Sequence, residues 1–214
     1  MDIRALAEKY EGYIIEQRRW FHAHPELSWE EFGTTDHIQE ELEKMGLEVH
    51  RFEGRPGCTA MIYGGKAVPG AKTVALRADI DALPVEEKTG LPFASENPGV
   101  MHACGHDGHT TMLLAAARYL SQHRNFRGRV VLVFQPAEEG TGGALAMIKD
   151  GLFERFPMDE IYGMHNWTDV EPGTFSVKSG AAMAGSDFFT IKLYGKGAHG
   201  SAPQLSADAA LAAS

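Results

Sequence analysis

The sequence is poor in cysteine, has no excess of basic residues and contains no long apolar run. Each shortage excludes a class of protein. Two cysteines, Cys58 and Cys104, cannot build a disulfide framework in a chain of 214 residues. Lys and Arg number 20 against 29 Asp and Glu, a formal charge of −9. An acidic chain without a basic stretch has no general attraction for nucleic acid or anionic lipid. The longest plainly apolar runs, residues 112–117 and 130–134, are far shorter than the roughly 20 residues that span a bilayer. The opening Met1-Asp2-Ile3-Arg4-Ala5 lacks the basic start, apolar middle and small-residue cleavage site of a signal peptide. A reduced, cytoplasmic setting is therefore expected. Internal repeats and low-complexity tracts are also missing.

Apolar residues make up 43% of the chain and charged residues 23%, the profile of an ordinary soluble globular protein. The length suits one large domain, or one domain and part of a second. Such a core can fold without a disulfide or a metal to hold it. Ile3, Leu6, Ala7, Tyr10, Ile14 and Phe21 recur near helical spacing and predict an opening helix. His22-Ala23-His24-Pro25 should end it, because the residue before a proline is pushed out of the helical region. A second helix is predicted over 35–45, stopped by Gly46. Short strands are predicted over 47–52, 59–63 and 73–78. A long loop, 79–108, leads to an apolar helix over 110–123. Arg129–Gln135 reads as a strand buried on both faces. Gly143–Lys149 reads as a helix and 160–165 as a further strand. The alternation implies an α/β fold, a mixed and largely parallel sheet flanked by helices. The small-residue stretch 180–185 is a candidate hinge. It divides a first domain, 1–184, from the start of a second, 185–214. In the second, 187–194 alternates like a strand and 206–214 begins a helix. The chain stops inside that helix without a cap or polar tail, as expected of a truncated chain.

Histidine is the unusual count, at ten. Three of them lie in His102-Ala103-Cys104-Gly105-His106-Asp107-Gly108-His109, where thiolate and imidazole at close spacing suit a divalent metal. The alternative is a buried cysteine near solvated histidines. In Gln135-Pro136-Ala137-Glu138-Glu139-Gly140, two carboxylates follow the buried strand. Ligand sites in open α/β sheets gather at such strand ends. One carboxylate could bind metal while the other accepts a proton from a water; the alternative is a solvated acidic turn. Asp79 and Asp81 follow another strand end, on one face by alternation. They could be ligands, could orient an imidazole, or could be solvated turn residues. His165 sits at a third strand end. His199, in Gly195-Lys196-Gly197-Ala198-His199-Gly200-Ser201-Ala202-Pro203, takes no role from spacing alone. Three strand ends and the cysteine loop, all bearing ligand-type residues, point to one metal site.

These residues bear a resemblance. Segments 21–27, 77–84, 101–109, 135–140, 163–166 and 195–203 resemble, in order, those of the M20 metallopeptidases. The branch resembled is that of hippurate hydrolases, N-acyl-amino-acid amidohydrolases and auxin-conjugate hydrolases. The resemblance implies a zinc-peptidase-like catalytic domain followed by a smaller α+β lid that also carries the dimer contact. It implies two divalent metals, Mn²⁺ or Zn²⁺ first, with Co²⁺ or Ni²⁺ permitted. It implies that Cys104 bridges the metals, that His106 and His165 bind one and Glu139 the other, and that Glu138 is the general base. His199 would polarise the scissile carbonyl in a partner subunit's site. Asp81 resembles an aspartate that orients a metal ligand. Asp79 stands where other M20 branches have a ligand histidine, which leaves its role open. The family's last histidine ligand lies far downstream, in a chain nearly twice this length. The implied reaction is hydrolysis of the amide bond of a small N-acyl amino acid by a homodimer. Neither nucleic acid nor membrane is an expected partner. A dipeptidase, a deacetylase of an acylated biosynthetic intermediate, and a non-catalytic metal-binding or dimerisation fragment are the alternatives.

Overall fold

The computed structural model describes residues 3–66, 68–140, 142–181, 183–185, 187 and 189–214, with the side chain of Ile3 left aside. The chain separates into two compact units, Met1–Trp167 and Thr168–Ser214.

The first unit opens with helix α1, Ile3–Ala23, which ends where Pro25 forbids continuation. Helix α2, Phe32–Lys44, begins on a carboxylate: Gly33 N–H and Thr34 N–H donate to Glu26 at 3.1 and 2.7 Å. It stops at Gly46, whose φ of 74° lets Leu47 N–H return to Leu42 C=O at 3.1 Å. Strands β1 (Val49–Arg51), β2 (Cys58–Tyr63) and β3 (Thr73–Asp79) follow. Then come helix α3 (His106–Gln122), strand β4 (Arg129–Gln135), helices α4 (Gly143–Lys149) and α5 (Leu152–Arg155), and strand β5 (Glu160–Gly163). The sheet order is β1-β2-β4-β3-β5.

β3 runs parallel to both β4 and β5, while β2 is antiparallel to β1 and β4. The sheet is thus evenly mixed rather than mainly parallel. A short turn joins β1 to β2, and only an antiparallel pair can be closed so tightly. Parallel β3 and β4 are instead joined through α3. β4 is buried on both faces, as its unbroken apolar run predicts. Leu132 and Phe134 pack with Phe21, Ile38, Leu42, Ile62 and Leu114 beneath α1, α2 and α3. Val131 and Val133 pack with Ala75, Met147, Leu152 and Phe156 on the other face.

One boundary matters for the site. α3 begins at His106, a turn before the Thr110 start expected from apolar spacing. Gly105, with φ 102°, turns the chain into the helix where other residues would be strained. His106 and His109 therefore share the first helical turn instead of lying in a loop.

The second unit contains a 3-10 turn, Pro203–Leu205, and helix α6, Ala209–Ala213. Asp208 caps α6, accepting from Ala210 N–H at 2.9 Å and Leu211 N–H at 3.2 Å. The helix thus starts later than the expected 206. The strand expected over 187–194 is not formed at residues 187 and 189–194; Ser186 and Phe188 lie outside the described residues. Among the described residues of this unit the β-pairing is the bridge Lys196↔Ala207, and alternation without a partner strand makes no ladder. Ala182, in the expected hinge 180–185, also lies outside the described residues. The units separate by packing after Trp167, ahead of that stretch.

Candidate metal centre

Three parallel strands end together, and their ends carry the ionisable side chains. Asp79 closes β3 and pairs in register with Gln135, the last residue of β4. Glu138 and Glu139 follow β4, and His165 follows β5. The N-terminus of α3 brings Cys104 and His106 to the same edge. This is the crevice in which open α/β sheets bind ligands.

His106 is the hub. It is buried, and its Nδ1 lies 2.9 Å from the backbone oxygen of Asp81 and 3.2 Å from its Oδ1. Both are acceptors, so Nδ1 carries the proton and Nε2 presents a lone pair. Nε2 lies 3.7 Å from Asp79 Oδ2, 3.8 Å from Glu139 Oε1 and 4.0 Å from Glu138 Oε2. Burial alone would lower the pKa of His106; Asp81 and the other surrounding carboxylates outweigh that and raise it.

Cys104 Sγ lies 3.3 Å from His165 Nε2. The other ring nitrogen of His165 bonds the Asn166 carbonyl, which again leaves Nε2 as the acceptor. Burial, then Glu139, Asp79 and Glu138, push the Cys104 thiol up to about 12. A neighbouring dication reverses that effect and favours the thiolate.

Three groups of donors gather within 4.8 Å of one another: Cys104, His106 and His165; His106, Glu138 and Glu139; and Asp79, His106 and His109. The residues fit a divalent ion on one specific ground. His106 Nε2 and Glu139 Oε1 are both buried and neither has a hydrogen-bond partner. Buried polar atoms are almost always paired, and both of these are ligand atoms with lone pairs. Imidazole, thiolate and carboxylate together form a borderline donor set that suits Zn²⁺ and its first-row neighbours.

The two aspartates differ. Asp81 Oδ2 accepts from Ser28 Oγ at 2.7 Å and from Glu139 N–H at 3.0 Å, so it ties the β3 end to the carboxylate turn. Asp79 has both oxygens taken by protein donors: Arg77 at 2.7 Å and His109 Nδ1 at 2.6 Å. Burial opposes its ionisation, but the His109 bond and the Arg77 charge outweigh it and hold the pKa at about 2. With Nδ1 donating to Asp79, His109 Nε2 meets Asn166, 2.5 Å from its Oδ1 and 3.0 Å from its backbone N. An Arg77–Asp79–His109–Asn166 chain thus reaches the residue beside His165.

Sequence reasoning placed His109 in the Cys104 cluster without a role of its own, and gave none to Asn166. The signal for His109 was its three-residue spacing from His106, which acquires meaning only once both are on one helical face. His102 is buried with neither ring nitrogen hydrogen-bonded, and burial lowers its pKa to about 4, so it is neutral. His199 belongs to the second unit, where it is exposed and its Nδ1 lies 2.9 Å from the Ser201 hydroxyl.

Comparison with known proteins accords with this site. The model of peptidase family M20/M25/M40 matches residues 75–214, and the chain belongs to that family. It is similar to a hippurate hydrolase of Campylobacter jejuni, 46% identical over 204 residues, covering 95% of this chain and 52% of that protein. It is similar also to an N-acetyl-L-cysteine deacetylase of Bacillus subtilis, 44% identical over 205 residues, covering 95% and 48%. Among solved structures, a dinuclear metal-binding peptidase of the M20 family from Bacillus subtilis superposes with a TM-score of 0.75 at 41% identity. That match covers 81% of this chain and 48% of the other. The chain thus spans about half the length of the curated relatives it matches.

Proposed function

We propose that the whole protein hydrolyses the amide bond of N-acyl amino acids, of the hippurate or N-acetyl-amino-acid kind, releasing a carboxylic acid and an amino acid. The observation that carries this reading is the facing pair of unpartnered ligand atoms, His106 Nε2 and Glu139 Oε1, beside a carboxylate that is left free. Glu138 is 42% exposed, against 24% for Glu139 and 0% for His106. The two ligand atoms His106 Nε2 and Glu139 Oε1 are sequestered, while the Glu138 carboxylate stays open to substrate and water. The names of the relatives support the substrate class.

His106 and His165 would hold one divalent ion and Glu139 the other, and Cys104, 3.3 Å from His165 Nε2, would add a thiolate ligand. Mn²⁺ and Zn²⁺ are the first candidates, then Co²⁺ and Ni²⁺. When bound, the ions supply Lewis acidity, which acidifies a water and withdraws charge from the amide oxygen. Glu138, the more exposed of the two carboxylates, takes the proton as the water oxygen bonds to the amide carbon. It gives that proton to the amine as the carbon–nitrogen bond breaks. Asp81 keeps the His106 proton on Nδ1, so that Nε2 remains a ligand atom. His199 is assigned the role of donor to the developing oxyanion, reaching a partner subunit's site from a lid that begins in the second unit. A homodimer in the cytoplasm follows from the same reading. Among the described residues no helix is long and apolar enough to cross a membrane.

The test is hydrolysis of a panel of N-acyl amino acids and dipeptides by the full chain, with metal content measured on the same sample. Turnover of N-acyl amino acids with bound divalent metal is expected. Cleavage of dipeptides alone, or no metal-dependent cleavage, overturns the reading. A Glu138→Ala chain that retains metal and near-normal turnover overturns the assignment of the base.

A further inference from the structure

Two residues other than glycine have left-handed backbones among the described residues, Trp29 (φ 70°) and Ala137 (φ 51°). This region brings Cβ against the following carbonyl, and such a conformation persists only where its surroundings hold it. The two lie on either side of one interaction. Ala137 N–H donates to Glu31 Oε1 at 2.7 Å, across 106 residues of sequence. Glu31 has 0% exposure, and Ala137 is the residue immediately before Glu138.

The turn held by this bond is closely packed. Ala137 C=O accepts Gly143 N–H at 3.0 Å. A Cβ on Gly143 would lie 1.8 Å from the Pro136 oxygen, and one on Gly57 would lie 2.6 Å from Pro136 Cδ. Glu31 is anchored in turn. Its own carbonyl accepts both the N–H and the hydroxyl of Thr35, and that hydroxyl accepts Gly57 N–H at 2.8 Å. The preceding residues strap the neighbouring strand end. Ala82 N–H donates to the Glu26 carbonyl at 2.8 Å and Ser28 Oγ donates to Asp81 at 2.7 Å.

Burying Glu31 is costly. Its second oxygen, Oε2, has no hydrogen-bond partner, and the backbone amides around the carboxyl offset its burial only in part. Burial pushes its pKa up to about 7, and Oε1 can accept the Ala137 N–H whether or not Oε2 carries a proton. What the side chain does achieve is to reach the backbone amide that precedes the two carboxylates.

We propose that Glu31 is a positioning residue for the carboxylate turn: its carboxyl oxygen pins the left-handed Ala137 and so sets the direction in which Glu138 and Glu139 leave the end of β4. The proposal rests on the reading of Glu138 as base and Glu139 as ligand.

The experiment compares the full chain with Glu31→Gln, which keeps the length and an acceptor oxygen, and Glu31→Met, which keeps the length and loses the acceptor without burying a charge. Three quantities are read: kcat and KM on an N-acyl amino acid, melting temperature, and amide hydrogen exchange in peptides spanning 135–140. In the unmodified protein the Ala137 amide is expected to exchange slowly for a turn residue. Glu31→Met should accelerate that exchange and lower kcat about 10- to 100-fold, in the range seen when partners of ligand groups are removed, with little change in KM. Glu31→Gln should stay near the unmodified protein in both.

Four results overturn the proposal: unchanged kcat and exchange in Glu31→Met; a lower melting temperature in Glu31→Met with kcat per folded molecule intact; equal losses in Glu31→Gln and Glu31→Met; or fast exchange of Ala137 in the unmodified chain. The last needs no variant to fold. If the full chain cleaves no N-acyl amino acid, the proposed function fails, and the exchange comparison still decides the role of Glu31.

Discussion

Asp81→Asn is a change of one atom, and the geometry says why it should damage metal binding. The Asp81 carboxylate accepts from His106 Nδ1 at 3.2 Å, Ser28 Oγ at 2.7 Å and the backbone N–H of Glu139 at 3.0 Å. A carboxylate only accepts, whereas an amide has one acceptor oxygen and one NH₂. If the NH₂ faces His106, it competes with the Asp81 backbone oxygen for Nδ1 and favours the tautomer in which the ring accepts there. In that tautomer the proton is on Nε2, which cancels the lone pair aimed toward Glu139. If it faces the other way, the Ser28 hydroxyl can rotate to accept, but Glu139 N–H is left opposite a donor. Losing a hydrogen bond to a charged group costs about 1.5–3 kcal/mol, or roughly 10- to 100-fold in an equilibrium constant. The Asp81 backbone oxygen, 2.9 Å from Nδ1, remains as an acceptor and favours the lower figure. A loss of about tenfold in Zn²⁺ or Co²⁺ affinity is therefore expected, read by competition with a chelating dye. Nitrogen NMR of His106 reports the tautomer. An affinity within twofold of the parent, with the proton still on Nδ1 and Glu139 N–H still protected, would refute the reasoning.

Three further outcomes follow from the same structure. The Asp79 pKa of about 2, against 3.8 unperturbed, means the folded state binds its proton more weakly than the unfolded state. The stability this confers is present above about pH 4 and lost as pH falls toward 2, roughly 2 kcal/mol in all; Asp79→Asn should remove that part of the acid-unfolding curve, and an unchanged curve counts against the His109 and Arg77 pairings. Phe134→Ala opens a cavity between β4 and the helices above it, and urea unfolding should show a loss of about 3–5 kcal/mol; a loss below 1 kcal/mol contradicts the packing described. In metal-stripped protein, Cys58 and Cys104 are each pushed up to about 12, by burial in the first case and by burial with Glu139, Asp79 and Glu138 in the second. Neither should react quickly with iodoacetamide at pH 8, and prompt alkylation of Cys104 shows that its carboxylate surroundings are wrong.

Much of this arrangement is legible in the sequence. The unbroken apolar run of residues 130–134 implied a strand buried on both faces, and such a strand sits in the middle of a sheet. Ligand-type residues after three strands and before one helix implied a common edge, because parallel strands end on the same side. Gly46 and Pro25 marked helix ends by their own backbone restrictions. The start of α3 was not legible, because apolar periodicity begins at Thr110 while the helix enters one turn earlier through Gly105, on polar residues that a periodicity argument reads as loop. The alternation at 187–194 misled for a related reason: it records which side chains could share a face, and a strand also needs a partner backbone.

What the sequence determined by itself was therefore local. Periods of two and near four, glycines and prolines at turns, and the ligand types at strand ends all act between near neighbours, and residue identity alone carries them. The tertiary structure alone decided the pairings across long separations: which nitrogen of His106 bears its proton, given Asp81 25 residues away; that Asp79 is occupied by Arg77 and His109; and that Glu31 reaches Ala137. Those choices depend on hydrogen-bond geometry at the scale of a few tenths of an ångström, where a donor must meet an acceptor in a dry site, and no one-dimensional pattern encodes it.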